Sequence, residues 1–130
     1  MADCIFCKIT AGIIPCQKIY EDNNFLGFLD NKPFTLGHTV VIPKKHFRWV
    51  YDVEDIGAYW EVANLIAKTQ INNLSPTFVT FLTMGNQVPH AHIHVIPRYK
   101  DDKLTGLFSE DLRQHPTEKE LNEISTKLKF

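Results

Sequence analysis

The stretch Pro89-His90-Ala91-His92-Ile93-His94-Val95-Ile96-Pro97 alternates imidazole and apolar side chains in steps of two from His90 to Val95. A period of two is that of a β-strand, so His90, His92 and His94 share one face and Ala91, Ile93 and Val95 the other. The apolar face suits a core. The histidine face places imidazoles roughly 6.5–7 Å apart, close enough to act on one ligand. A solvated histidine run would not alternate with core residues between two prolines. Two chemical readings stay open on this face: a transition-metal site and nucleophilic catalysis by imidazole. The preceding loop, Gly85-Asn86-Gln87-Val88-Pro89, favours the second, because a glycine-containing loop can turn backbone N–H groups toward phosphate oxygens.

Outward from this strand, the chain reads as short strands interrupted by helices. Gln17–Glu21 and Phe25–Leu29 flank Asp22-Asn23-Asn24, which has hairpin-turn chemistry. His38–Pro43 is β-branched and follows the breakers Pro33 and Gly37. Residues 53–74 carry Ile56, Tyr59, Trp60, Ala63, Ile66 and Ala67 at helical spacing, with Asp52 as the expected cap and Ser75-Pro76 as the stop. Thr77–Leu82 and His90–Ile96 supply strands four and five. A short helix over 4–11, capped by Asp3 and stopped at Gly12, opens the chain. Thr117-Glu118-Lys119-Glu120 is a capping-box pattern for a C-terminal helix with Leu121, Ile124 and Leu128 as its apolar stripe. The expected fold is α+β: a five-stranded antiparallel sheet with a main helix and short terminal helices.

Composition narrows the partners. The chain has 130 residues, 44% hydrophobic and 22% charged, which fits one domain with one core, residues 1–130. A net charge of −1 lacks the basic excess of a nucleic-acid-binding surface, so no nucleic-acid partner is expected. No run approaches the roughly 20 apolar residues of a membrane span. The first eight residues do not have the basic-then-apolar layout of a secretory signal. Three cysteines make a disulfide framework a poor fit and point to a reducing, cytoplasmic setting. Cys4-x-x-Cys7 has the spacing of a zinc thiolate pair; a redox pair and two buried thiols are the other readings. Cys16 is expected to pack as a small hydrophobe, and His115 to lie at the surface.

The segment from Gly85 to Arg98 resembles the histidine triad (HIT) signature, His-x-His-x-His-x-x with apolar x. Cys4–Ile9, Phe28-Leu29-Asp30 and Gly37–His46 resemble the earlier segments of that family, in the family's order over residues 4 to about 99, with 100–130 as an extension. The likeness is greatest to the Hint branch. It implies nucleotidyl chemistry in which His92 attacks an α-phosphate, forms a nucleotidyl-histidine, and is freed by water. It implies that His94 contacts the phosphate or leaving group and that His38 completes the cluster. It places Asp30 at the ribose hydroxyls, Asn86, Gln87 and Val88 at the phosphate, and Phe6, Ile9, Phe28 and Leu29 at a purine base of AMP type. It further implies a structural zinc on Cys4, Cys7, His46 and His90, and a homodimer with a continuous sheet. One departure stands out: many members have Gly-Gln-x-Val before the triad, where this chain has Gly85-Asn86-Gln87-Val88. The expected activity is that of a nucleotide phosphoramidase or nucleotidyl hydrolase. The alternatives are dinucleoside polyphosphate hydrolysis, as in the Fhit branch, and a nucleotide-binding scaffold with little turnover.

Overall fold

A computed structural model describes residues 3–104 and 114–130. Helix α1 (Ile5–Thr10) leads into strands β1 (Lys18–Glu21), β2 (Phe25–Leu29) and β3 (Thr39–Pro43). The long helix α2 (Ile56–Leu74) follows, then β4 (Phe78–Leu82), β5 (Ile93–Arg98) and helix α3 (Glu118–Leu128). The five strands form one antiparallel sheet in the order β1-β2-β3-β5-β4. The sequence expectation of an α+β fold with this complement of strands and helices holds. Residues 105–113 of the C-terminal extension lie outside the described residues.

Local chemistry explains the elements. Asp22 Oδ1 accepts from the N–H groups of Asn24 and Phe25, both at 2.7 Å, which closes the β1–β2 turn. Thr117 and Glu120 form the full capping box at the start of α3. Ser75 takes the left-handed conformation that ends α2 ahead of Pro76. Two caps differ from expectation. Cys4, not Asp3, caps α1, its Sγ accepting from Cys7 N–H at 3.4 Å. Asp55, not Asp52, caps α2, because residues 50–52 form a separate 3-10 turn before the helix begins.

The sheet separates two environments. Phe25, Val41, Ala91, Ile93 and Val95 face α2 and pack with Tyr59, Val62, Ala63, Ile66 and Ala67 in the main core. Leu26, Phe28, Val40 and Ile42, alternating with them, face the other way and pack with Ile9 of α1. The predicted division of the fifth strand is thus met: Ala91, Ile93 and Val95 are all 1% exposed or less. The histidines project from the opposite face. The strand itself begins later than expected. His90 N–H turns back to Val88 O, and Ala91 N–H goes to Phe47 O at 2.7 Å, so residues 90–92 are held by loops rather than by the β3 ladder.

Helix α2 also anchors the site from behind. Tyr59 donates its buried hydroxyl to Val41 O, and Gln70 Nε2 donates to the carbonyls of Gly37 and Val95. Gly37, at φ 92°, makes the tight entry to His38, and an added Cβ would lie 2.5 Å from Leu74 Cδ1.

Candidate active site and metal centre

On the face away from α2, two clusters of side chains share the residues 90–94. The first gathers at the N-terminus. Cys4 and Cys7 stand one helical turn apart on α1, His46 follows β3, and His90 precedes β5. Their ligand atoms all lie within 4.8 Å of one another. Sulfur-to-nitrogen separations are 3.3 Å (Cys4–His90), 3.2 Å (Cys7–His46) and 3.5 Å (Cys7–His90), and the two Nδ1 atoms are 3.2 Å apart. Typical zinc–sulfur and zinc–nitrogen bonds arranged as a tetrahedron give S···N edges of about 3.5 Å and N···N edges of about 3.3 Å. The donor set therefore fits a tetrahedral metal ion. The tautomer of His90 fits as well. Its Nε2–H donates to Pro43 O at 2.8 Å, which leaves the Nδ1 lone pair turned toward the two sulfurs. Burial holds His90 below the usual imidazole range, as a neutral ligand requires, against the opposing pull of the Pro43 carbonyl. Burial also pushes the Cys7 thiol up to about 11, with help from the neighbouring Cys4.

The second cluster lies farther along the strands. His92 is 7% exposed and donates Nδ1–H to the carbonyl of His90 at 2.8 Å, so its Nε2 carries a free lone pair. Thr83 Oγ1–H donates to the carbonyl of His92 itself at 2.8 Å. Burial lowers the His92 affinity for protons; the His90 carbonyl opposes that, and the charge of Arg48 reinforces it. Phe34 N–H donates to His38 Nδ1 at 3.0 Å, which places the His38 proton on Nε2. That proton points at His94 Nδ1, 2.9 Å away, so His94 carries its own proton on Nε2. The relay thus ends in an N–H donor on His94, whose ring meets that of His92 edge-on with centroids 5.1 Å apart. Burial, then the charges of His92 and His38, hold His94 down to about 4.

Asp30 comes to the same end of the sheet, continuing β2 past Phe28. Its Oδ1 accepts from Lys32 N–H at 2.8 Å and shapes the following turn, while Oδ2 lies 3.7 Å from His38 Nε2. Phe6 lies between the clusters, its ring edge-on to His90 at 5.8 Å, His92 at 5.2 Å and Phe28 at 5.7 Å. Ile9 and Phe28 are buried in the small core beneath. Leu29 alternates to the other side of β2 and is 38% exposed, so it does not join them. Gly85, at φ 73°, opens the loop in which Asn86 and Gln87 are exposed and Val88 half-buried. Cys16 is half-buried beside the small core, and His115 is exposed, as expected.

Sequence reasoning passed over Arg48. Its guanidinium stacks 3.7 Å from the Trp49 ring centroid and donates from Nη1 to Gly85 O at 2.7 Å. The available signal was a cation interleaved with aromatics, Phe47-Arg48-Trp49, directly after a ligand-type histidine.

The depressed His94 value has a stability consequence. Unfolded, an imidazole takes its proton near 6.5; folded, His94 does so only near 4. The unfolded state then binds more protons between those values, so the stability present above pH 6.5 is lost as pH falls toward 4. Thermal unfolding is expected at several degrees lower at pH 5 than at pH 7, with His94→Asn showing a smaller drop. Equal drops in both proteins would show that His94 does not carry the effect.

Comparison with known proteins agrees with this geometry. The model of the HIT domain family matches residues 11–101. The chain is 43% identical to the Protein hit of Bacillus subtilis over 104 residues, 75% of this chain and 72% of that one. It is 34% identical to the adenosine 5'-monophosphoramidase hnt1 of Schizosaccharomyces pombe, over 97% of this chain and 98% of that one. It is 35% identical to the adenylylsulfatase HINT3 of Arabidopsis thaliana, over 87% of this chain and 60% of that longer protein. Among solved structures, a HIT-family protein from Bacillus subtilis superposes with a TM-score of 0.87 at 36% identity, over 97% of this chain and 94% of that one. A zinc-bound histidine triad protein from Mycobacterium smegmatis superposes at 0.72 with 33% identity, over 97% of this chain and 98% of that one.

Proposed function

The chain belongs to the HIT family, and from that premise we propose that it hydrolyses purine nucleotide phosphoramidates or related nucleotidyl conjugates at the α-phosphate. Family membership supports a nucleotide hydrolase; the residue roles rest on the geometry. The carrying observation is the fixed tautomer of His92: Nδ1–H is tied to the His90 carbonyl, so Nε2 is the nucleophile. His92 Nε2 attacks phosphorus, the bond to the leaving group breaks, and water later releases AMP from the nucleotidyl-histidine. His94 Nε2–H donates to the phosphate or to a departing amine, and His38 holds His94 in that tautomer. Asp30 accepts from the ribose hydroxyls, Phe6 and Phe28 lie by the base, and the backbone of Asn86, Gln87 and Val88 faces the phosphate oxygens. Mixing the protein with an adenosine phosphoramidate and following it by mass spectrometry tests this. Transient adenylylation at His92 together with AMP release is expected; binding without adduct or product would instead mark a scaffold.

The metal on Cys4, Cys7, His46 and His90 is zinc in this reading. Four protein ligands would fill a tetrahedral shell, so the ion would supply structure, tying α1 to the segments that carry the histidines.

We also propose a homodimer through β4. The sheet has two edges, and they differ. Edge strand β1 carries Lys18 and Glu21, a charged pair that discourages further pairing. Edge strand β4 reads Phe-Val-Thr-Phe-Leu, with Phe78 and Phe81 exposed and Trp60 of α2 edge-on to Phe81 at 5.8 Å. Apolar surface of this kind on an edge strand that, among the described residues, pairs only with β5 fits a second copy. Sedimentation at micromolar concentration should give a dimer and Trp60→Glu a monomer. A monomeric wild-type protein would refute the pairing.

A further inference from the structure

Arg48 is a partly buried cation that the proposed chemistry leaves without a task. A guanidinium withdrawn from water usually finds a carboxylate, because an unpaired buried charge is costly. Arg98 does so: its Nε donates to Asp102 Oδ2 at 2.8 Å, within a wider web of contacts. Among the described residues Arg48 has no carboxylate within ion-pair distance. Among the described residues its hydrogen-bond acceptor is the Gly85 carbonyl, at the opening of the loop that leads to the triad. Stacking on Trp49 fixes the plane of the guanidinium, and an added Cβ at Gly85 would come within 3.0 Å of that same indole. Arg48, Trp49 and Gly85 thus form one packed unit at the start of the loop that leads to His90, and the charge of Arg48 reaches His92, where it opposes protonation. One Nη1–H is used there, so the other donors of a rigid fork stay available to an anion.

We propose that Arg48 is the specificity-determining residue that receives an anionic leaving group, making sulfate- and phosphate-bearing nucleotidyl conjugates preferred substrates. The assignment rests on the nucleotidyl chemistry proposed above. Leaving groups differ in what they need. When His92 Nε2 bonds to the α-phosphorus, the P–O bond of an adenylyl sulfate breaks and its electron pair departs on sulfate oxygen. That oxygen gains negative charge in the transition state and needs no proton, so a fixed cation stabilises it. An amine must instead take a proton as the P–N bond breaks, which His94 Nε2–H supplies, and a nearby cation does nothing for it. The two residues therefore divide leaving groups by charge.

The test compares Arg48→Gln and Arg48→Lys with wild type on adenylyl sulfate and on an adenosine phosphoramidate bearing a neutral amine. Loss of one charge-assisted contact corresponds to about ten- to a hundredfold. Arg48→Gln is expected to lose that much in kcat/KM on adenylyl sulfate and at most about threefold on the phosphoramidate. Arg48→Lys should recover part of the loss. Binding gives a readout free of turnover. In a His92→Ala background, adding Arg48→Gln should weaken ADP about tenfold or more relative to AMP, since only ADP carries a phosphate at the leaving-group position. Parallel losses on both substrates, or an unchanged ADP-to-AMP ratio, would overturn the assignment and leave Arg48 as a loop anchor. Failure of wild type to release AMP from either substrate would overturn the nucleotidyl-transfer reading itself.

Discussion

His92→Ala is expected to lower the rate of AMP release from an adenosine phosphoramidate by at least about a thousandfold, the scale on which removal of a nucleophile acts. The expectation follows from how much of the protein is arranged around one nitrogen. The His90 carbonyl accepts from His92 Nδ1–H at 2.8 Å, Thr83 Oγ1–H donates to the carbonyl of His92 itself at 2.8 Å, and Phe6 meets the ring edge-on at 5.2 Å. These contacts fix the tautomer and the ring plane before any substrate arrives, so the lone pair pays little to orient at the moment of attack. Truncation to alanine removes the nucleophile and leaves the rest standing. Nucleotide binding should therefore survive, with affinity for AMP changed by no more than a few-fold. The measurement is steady-state AMP release beside titration calorimetry with AMP. A residual rate within tenfold of wild type, with no adduct on either protein, would mean that water attacks directly and that His92 serves only to position phosphate.

How legible this site was in the sequence depended on whether a feature was local. Alternation along 90–95 assigned each side chain to a face, because a strand leaves no other choice. The core residues Ala91, Ile93 and Val95 follow from that alone. The direction of the His38–His94 relay does not. It is set by Phe34 N–H approaching His38 Nδ1 across a turn, and no spacing rule encodes that approach. The late start of β5 has the same origin: a neighbouring loop, through Phe47 O, claims the backbone of Ala91. The cap on α1 moved because Cys4 Sγ, although a weaker capping group than a carboxylate, is the acceptor that meets Cys7 N–H; the cap on α2 moved because residues 50–52 close a separate 3-10 turn and leave Asp55 at the helix start. Arg48 was least legible of all. Its meaning lies in a contact with Gly85, 37 residues away, which no local pattern encodes.

Replacing both Cys4 and Cys7 with serine is expected to remove the metal and to lower the unfolding temperature by roughly 10–20 °C. Loss of a structural metal belongs among the largest single-site effects, roughly 3–5 kcal/mol, and at this chain length each kcal/mol moves the midpoint by roughly 3–5 °C. Serine keeps the size of the side chain but not its affinity for zinc, so the native protein should carry about one zinc per chain and the variant none. The thiol chemistry gives the sign of the pH dependence. Without a cation the Cys7 proton is held up to about 11, so metal entry must displace protons, and affinity should fall as pH is lowered. The loss should also reach the chemistry. His90 is tied to the first cluster through its ring and to the second through its carbonyl, which orients His92. Once the ring of His90 is released, that carbonyl loses its fixed direction. The prediction is thus a coupled one: zinc content, midpoint and kcat fall together in Cys4→Ser/Cys7→Ser, and chelation of the native protein reproduces all three. Full zinc content in the double variant would show that the ion sits elsewhere. An unchanged kcat in a zinc-free, folded protein would show that the two clusters, though joined by one residue, act independently.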